Sequence, residues 1–265
     1  YEVRGQLANT WLSRHGEAAR DSEKYRLFLE REAEAARSAD AIVTLGEAMR
    51  ASLVADGVDP ARITLCPNAV GEQFLHEPLS KRGARLRLGL DPNARYVGAV
   101  SSLVHYEGHD DLLRAFVDLR RRFPGLKLLL VGNGSSAAYL HRLAASLDID
   151  DDAIFPGLVP RSQAHLWHQA LDAFVVPRKD YEVTRNVTPL KPVEAAASAR
   201  PVVASRLPAL AEVVRDGETG LLTPADDPAA LGEALALLLA DPERADALGA
   251  AGRAWALADR TWAAN

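Results

Sequence analysis

Cysteine is almost absent from this chain of 265 residues: Cys66 stands alone. That excludes an intramolecular disulfide and any cysteine-rich metal site, and leaves Cys66 as a small buried hydrophobe. Long apolar runs are missing too. The longest, such as Leu128–Val131 and Leu235–Ala240, are far too short to cross a bilayer. There is no excess of positive charge; a formal balance of −5 argues against a broad nucleic-acid surface, though not against a local basic pocket. No internal repeat, low-complexity tract or signal-peptide pattern is visible, and the first residue is Tyr rather than Met, so an upstream leader would be hidden. What is present is a balanced composition, 48% apolar, expected to form a soluble globular piece of one to two domains with a normal core.

From Tyr96 onward, short β-branched runs alternate with longer amphipathic ones. Strands are predicted at Tyr96–Val100, Lys127–Gly132, Ile154–Gly157, Ala173–Pro177, Pro201–Ser205 and Gly220–Thr223. Helices are predicted near Asp110–Phe123, Ala137–Leu147, Gln163–Ala170, Pro189–Ala199, Ala209–Val214, Pro228–Ala240 and Pro242–Ala258. Nearly continuous apolar strands separated by helices imply a parallel sheet covered on both faces, a doubly wound α/β domain. Its ligand belongs outside the carboxyl ends of the strands. Before Tyr96 the pattern gives a charged helix Ser22–Ser38, a strand Ala41–Leu45, a helix Glu47–Asp56 and a strand Ile63–Pro67. One such unit does not complete a sheet, so it is expected to be the tail of a preceding domain. The expected division is 1–75 for that tail, 76–94 for a linker rich in Pro, Gly and basic residues, and 95–265 for the Rossmann-like domain.

The most informative stretch is Thr188-Pro189-Leu190-Lys191-Pro192-Val193-Glu194, followed by the small-residue run Ala195–Ala199 and the strand Pro201–Ser205. A helix opened by proline points unpaired N–H groups at whatever precedes it, and its dipole favours negative charge there. Lys191 adds a mobile cation and Glu194 a carboxylate in the first turn. Phosphates on the N–H groups of Thr188–Leu190 and sugar hydroxyls on Glu194 would suit a nucleotide-diphosphate compound.

With that motif, the following segments complete a resemblance: Tyr1-Glu2-Val3-Arg4-Gly5, Ala39–Thr44, Pro67-Asn68-Ala69-Val70, Tyr106-Glu107-Gly108, Val131-Gly132-Asn133-Gly134, Phe155–Val159 and Asp216–Gly220. Each is weak alone; in this order they make the chain resemble the retaining nucleotide-sugar glycosyltransferases of the GT-B fold, family 4. The resemblance implies two Rossmann-like domains facing across a cleft, the donor held by the carboxyl-terminal one and the acceptor by the other. It places the family's second glutamate at Glu194, as a ribose ligand. The family's first glutamate falls on Asn186, and its diphosphate-gripping arginine and lysine fall on Ser102 and Glu107. An amide supplies hydrogen bonds but no charge. Replacement cations are therefore expected from the cluster Arg178, Lys179, Arg185 and Lys191, with Arg185 and Lys191 chosen. Lys191, Arg185 and Asn186 take the catalytic roles in this reading. Glu194, Leu190, Pro189, Thr188, Val187, Ser102, Gly132, Val159 and Pro160 take the donor, the last two beside the nucleobase. Leaving-group stabilisation then falls on cations and backbone N–H groups, and no metal cofactor is expected.

Other motifs have duller readings. Gly132-Asn133-Gly134 fits a loose dinucleotide fingerprint, yet no acidic residue ends the next strand. The Asp148–Asp152 run has metal-binding spacing but precedes a strand, where a solvated charge run is the better account. His165 and His168 lie three apart with no third ligand for a metal. His105 and His109 flank the phosphate loop as donor contacts or ordinary helix-start residues. Trp11 and the Ser22–Ser38 helix belong to the acceptor side or to peripheral membrane contact. The expected activity is transfer, with retention, from a UDP-sugar to a glycan or lipid-linked acceptor, in the cytoplasm or at the inner face of the membrane. Its rivals are a degenerate nucleotide-binding domain, an epimerase of GT-B architecture and a dinucleotide oxidoreductase.

Overall fold

The computed structural model describes residues 1–265, arranged as two lobes, each with its own parallel sheet. The small lobe carries β1 (Glu2–Val3), α1 (Leu7–His15), α2 (Glu23–Ser38), β2 (Ile42–Thr44), α3 (Glu47–Ala55) and β3 (Ile63–Leu65), in strand order β1-β2-β3. Ser22 starts α2 by accepting the Tyr25 N–H at 3.2 Å. Val3, Ile42, Met49, Leu53 and Ile63 form the lobe's core.

The large lobe begins with α4 (Lys81–Leu88) and alternates β4 (Arg95–Val100), α5 (His109–Arg122), β5 (Leu126–Val131), α6 (Ala137–Ser146), β6 (Ala153–Gly157), α7 (Ala164–Ala170) and β7 (Ala173–Val176). It continues with α8 (Glu182–Asn186), α9 (Lys191–Ala197), β8 (Val202–Ser205), α10 (Pro208–Ala211), β9 (Gly220–Thr223), α11 (Pro228–Ala240) and α12 (Pro242–Asp259). The six strands are all parallel, in the order β6-β5-β4-β7-β8-β9. Helices α5, α6 and α11 cover one face over a core of 26 buried residues that includes Leu112, Phe116, Leu128 and Leu235. Helices α7, α9 and α12 cover the other over 23, among them Phe174, Val193 and Trp255. The sheet is doubly wound, as the apolar strands require.

The stretch 76–94, expected as a linker, contains a docked helix. Ser80 caps α4 by accepting the Gly83 N–H, and Gly89 ends it at φ 69°. Arg85 is buried against α7, donating to the Ala170 carbonyl at 2.9 Å and to Asp172 at 2.6 Å. Upstream of it, Val70 and Phe74 already pack into the large-lobe core. The end of the chain crosses back: the Val70 N–H donates to the Arg260 carbonyl at 2.9 Å, and Asn265 Nδ2 to the Pro67 carbonyl at 2.6 Å. No helix is long and apolar enough to cross a membrane.

Candidate functional site

Strands β4 and β7 lie side by side, but the chain leaves β4 toward β5 and β6 and returns only afterwards to β7. Their carboxyl ends therefore flank the topological switch point, where α/β sheets leave a crevice. The loop after β4, the loop after β7 and the turn before α9 all meet there.

The turn differs from expectation. The helix expected over Pro189–Ala199 is shortened to α9, which starts at Lys191 with Pro192, not Pro189, in its first turn, and the separate short helix α8 precedes it. Pro189 is buried. Val193 and Glu194 both donate their N–H groups to the Leu190 carbonyl, while those of Thr188, Leu190 and Lys191 find no acceptor in the protein. Glu194 is the buried acid at the centre, its side chain 10% exposed. Its Oε2 accepts from Lys191 Nζ at 2.9 Å and lies 3.5 Å from Nε2 of His168. His168 is fully buried, stacked on Phe174 and edged by Phe74, and its ring nitrogens have no other partner. Burial drives the Glu194 carboxyl up, but His168 and Lys191 outweigh it and hold the acid below its ordinary range. Burial holds His168 itself below the ordinary histidine value, against the pull of Glu194.

The expected phosphate cations are placed differently. Arg185 commits its guanidinium to Asp180, at 2.8 Å from Nη2, on a side chain 55% exposed. Arg185, the expected replacement cation, is thus paired at the surface with an acid five residues before it. Lys179 lies 2.6 Å from Asp111 and 3.2 Å from Asp110. Arg178, passed over in favour of Arg185, is the buried guanidinium, and it grips Glu107 of the β4 loop at 2.7 Å. Asn186 turns toward the small lobe, donating from Nδ2 to Gln6 Oε1 at 3.1 Å. The Val187 carbonyl accepts from Arg178 and the Thr188 carbonyl from Asn68, at 2.8 and 3.0 Å.

Leu190 and Val159 pack against the α7/α9 core, whereas Ser102 and Pro160 are exposed. Gly132 has a structural reason of its own: at φ 133°, a Cβ there would lie 1.9 Å from the Ser101 carbonyl oxygen. In the Asp148–Asp152 run, Asp152 pairs with Lys127 at 2.7 Å and Arg120 at 3.4 Å. No group of three or more His, Cys, Asp or Glu is placed to hold a metal. The sequence reading missed His168 as a neighbour of Glu194 and Arg178 as a partner of Glu107. A histidine on the buried side of α7 and an acid in a loop expected to be basic were the available signals.

Two lobes of parallel sheet, with a buried carboxylate and a lysine at the switch point of the larger, define a GT-B type protein built from Rossmann-like domains. The chain belongs to the glycosyl transferases group 1 family, whose model matches residues 81–255. It is 36% identical over 200 residues to a GDP-mannose-dependent alpha-(1-6)-phosphatidylinositol monomannoside mannosyltransferase of Mycolicibacterium smegmatis, covering 75% of this chain and 52% of that protein. Among solved structures, sucrose-phosphate synthase from Thermosynechococcus elongatus superposes with a TM-score of 0.85 at 26% identity, over 99% of this chain and 64% of that one. An Anabaena protein solved with UDP-glucose superposes at 0.81 with 19% identity, over 98% and 67%, and speaks to the fold alone. The chain spans about half the length of the curated relatives it matches.

Proposed function

We propose that the protein to which this chain belongs transfers a sugar, with retention, from a nucleoside-diphosphate sugar to a glycan or lipid-linked acceptor, without a metal. The observation that carries this reading is Glu194. It is a nearly buried carboxylate kept ionised beside Lys191, in the first turn of a helix that opens onto the strands' carboxyl ends. A carboxylate so held accepts from ribose hydroxyls, and Lys191 with the unpartnered N–H groups of Leu190 and Lys191 meets the departing diphosphate. The mannosyltransferase relative makes GDP-mannose the first donor to test, against the UDP-sugar that the sequence suggested. The place of work is the cytoplasm, with lipid-linked acceptors drawing the protein to the inner membrane face. A cavity beside the partners of Asn186, lined in part by Gln6, Asn9, Ser52 and Glu182, lies in the lobe that this reading assigns to the acceptor.

One observation favours a second reading, a nucleotide-binding domain without chemistry. Arg178, Lys179, Arg185 and Lys191 each face a carboxylate, so none of these four reaches a phosphate without leaving or sharing an acid. Calorimetry of the chain with GDP, UDP, ADP and NAD, with and without Mg²⁺, followed by donor hydrolysis, separates the readings. Metal-independent binding of GDP or UDP is expected. NAD binding alone would refute the donor site, and binding without any sugar release would favour the second reading.

A further inference from the structure

We propose that Glu107 and Arg178 are a positioning pair that fixes the turn before α9, the guanidinium acting on the protein's own backbone and not on a ligand's phosphates. The inference deepens the proposed donor site and rests on that reading for its consequence, though not for its geometry.

The pair bridges the switch point. Glu107 ends the short turn after β4, and Arg178 stands two residues beyond β7. Arg178 Nε lies 3.2 Å from both oxygens of Glu107, and Nη2 is 2.7 Å from Oε1. The remaining arm, Nη1, donates to the Val187 carbonyl at 2.8 Å. Both side chains are nearly buried, at 8% and 13% exposure. The backbones are stitched at the same place: the Lys179 N–H donates to the Tyr106 carbonyl at 3.0 Å, and Gly108, at φ 70°, passes so close that a Cβ would lie 1.8 Å from the Pro177 oxygen.

A buried charge of either sign is costly alone, so each member needs the other. The fork geometry also matters. Two arms occupied by one carboxylate fix the plane of the guanidinium, which fixes the direction of the third. Val187 leads directly into Thr188, Leu190 and Lys191, whose N–H groups are unpartnered. The order of dependence runs from Glu107 to Arg178, to the Val187 carbonyl, to the turn. An acid in a loop otherwise suited to phosphate thereby acquires a purpose: it keeps the nearby guanidinium off the ligand and on the backbone.

The rival is that Arg178 is a phosphate ligand held in reserve by Glu107. The two ideas predict opposite signs for Glu107→Gln. Hydrogen exchange of peptides covering 186–193 in the free chain, compared among wild type, Glu107→Gln and Arg178→Lys, measures the turn without any ligand. Calorimetry with GDP and UDP then measures affinity. Both variants are expected to speed exchange in the turn by about tenfold, with the β4 and β7 peptides unchanged, and to weaken the nucleotide by about tenfold. Glu107→Asp, which keeps the charge but shortens the reach, is expected to loosen the turn likewise and serves if the glutamine variant does not fold. Tighter nucleotide binding by Glu107→Gln, or unchanged exchange in the turn, would overturn the proposal. Failure of the wild type to bind any nucleotide would sink the functional reading while leaving the exchange result to decide this one.

Discussion

Glu212, in the large lobe, caps a helix of the small lobe: its Oε1 accepts the Ala48 N–H at 2.6 Å, in the first turn of α3. The cap position of that helix is Gly46, which offers no side chain of its own. A Cβ at Gly46 would lie 2.0 Å from Glu212 Oε2, so the glycine is what admits the carboxylate. The acid also suits the positive end of the α3 dipole. Glu212→Ala is expected to cost about 1–2 kcal/mol, since one charge-assisted cap is lost from a half-buried site. Gly46→Ala should displace the carboxylate and produce the same loss. Urea unfolding gives the cost, and small-angle scattering should register a looser pair of lobes. Stability equal to wild type in both variants would mean that the cap carries no weight.

Glu194→Ala is expected to weaken GDP or UDP by about 10- to 100-fold, because charge-assisted hydrogen bonds contribute roughly 1.5–3 kcal/mol each. The bare nucleoside should suffer as much as the diphosphate, since the carboxylate meets ribose. Calorimetry with uridine, UDP, guanosine and GDP distinguishes a ribose ligand from a generally damaged site. A loss confined to the diphosphates would assign Glu194 to holding Lys191 and nothing more.

Much of the large lobe could be read from local pattern. Strands of a doubly covered parallel sheet are short apolar runs, and α11 was located to the residue because Asp227 and Pro228 announce its start. Strand β1 has two residues and no periodicity to detect, and α1 has no capping side chain. Helix α4 hid among Gly83 and its basic neighbours because its burial comes from packing on α7, not from its own sequence. The site divides the same way. Lys191 and Glu194 are three residues apart on one turn, a relation sequence displays. Glu107 and Arg178 are 71 residues apart, and Asn186 meets Gln6 across 180; no local pattern encodes such pairings. The pairing of Arg185 with Asp180, five residues away, likewise has no signature in the motif beside it.

Arg185→Ala is expected to leave nucleotide affinity within about twofold and stability within about 0.5 kcal/mol, as befits an exposed ion pair with Asp180. The comparison with Lys191→Ala, expected to lose diphosphate affinity but not nucleoside affinity, sharpens the test. A selective loss of diphosphate binding in Arg185→Ala would return the residue to the donor site.

Two fully buried histidines give the fold a definite response to acid. Burial holds His109 and His168 below the ordinary histidine value of 6.5, even though Glu107 and Asp110 pull the first upward and Glu194 the second. Below pH 6.5 the unfolded chain takes up these protons and the folded one lags, so stability is full above about pH 7 and falls as the pH drops through 6.5. Each histidine contributes a slope of at most about 1.4 kcal/mol per pH unit. Glu194 works in a separate window: its folded carboxyl lies below the ordinary 4.5, so its contribution is present above that value and lost beneath it. His168→Phe removes one titrating group while keeping a ring between Phe74 and Phe174. Urea unfolding at pH 7.5, 6.0 and 5.0 should show a smaller fall in stability in this variant than in the wild type. An identical fall in both proteins would show that His168 carries a proton in the folded state, paired with Glu194 as an ion and not as a neutral ring.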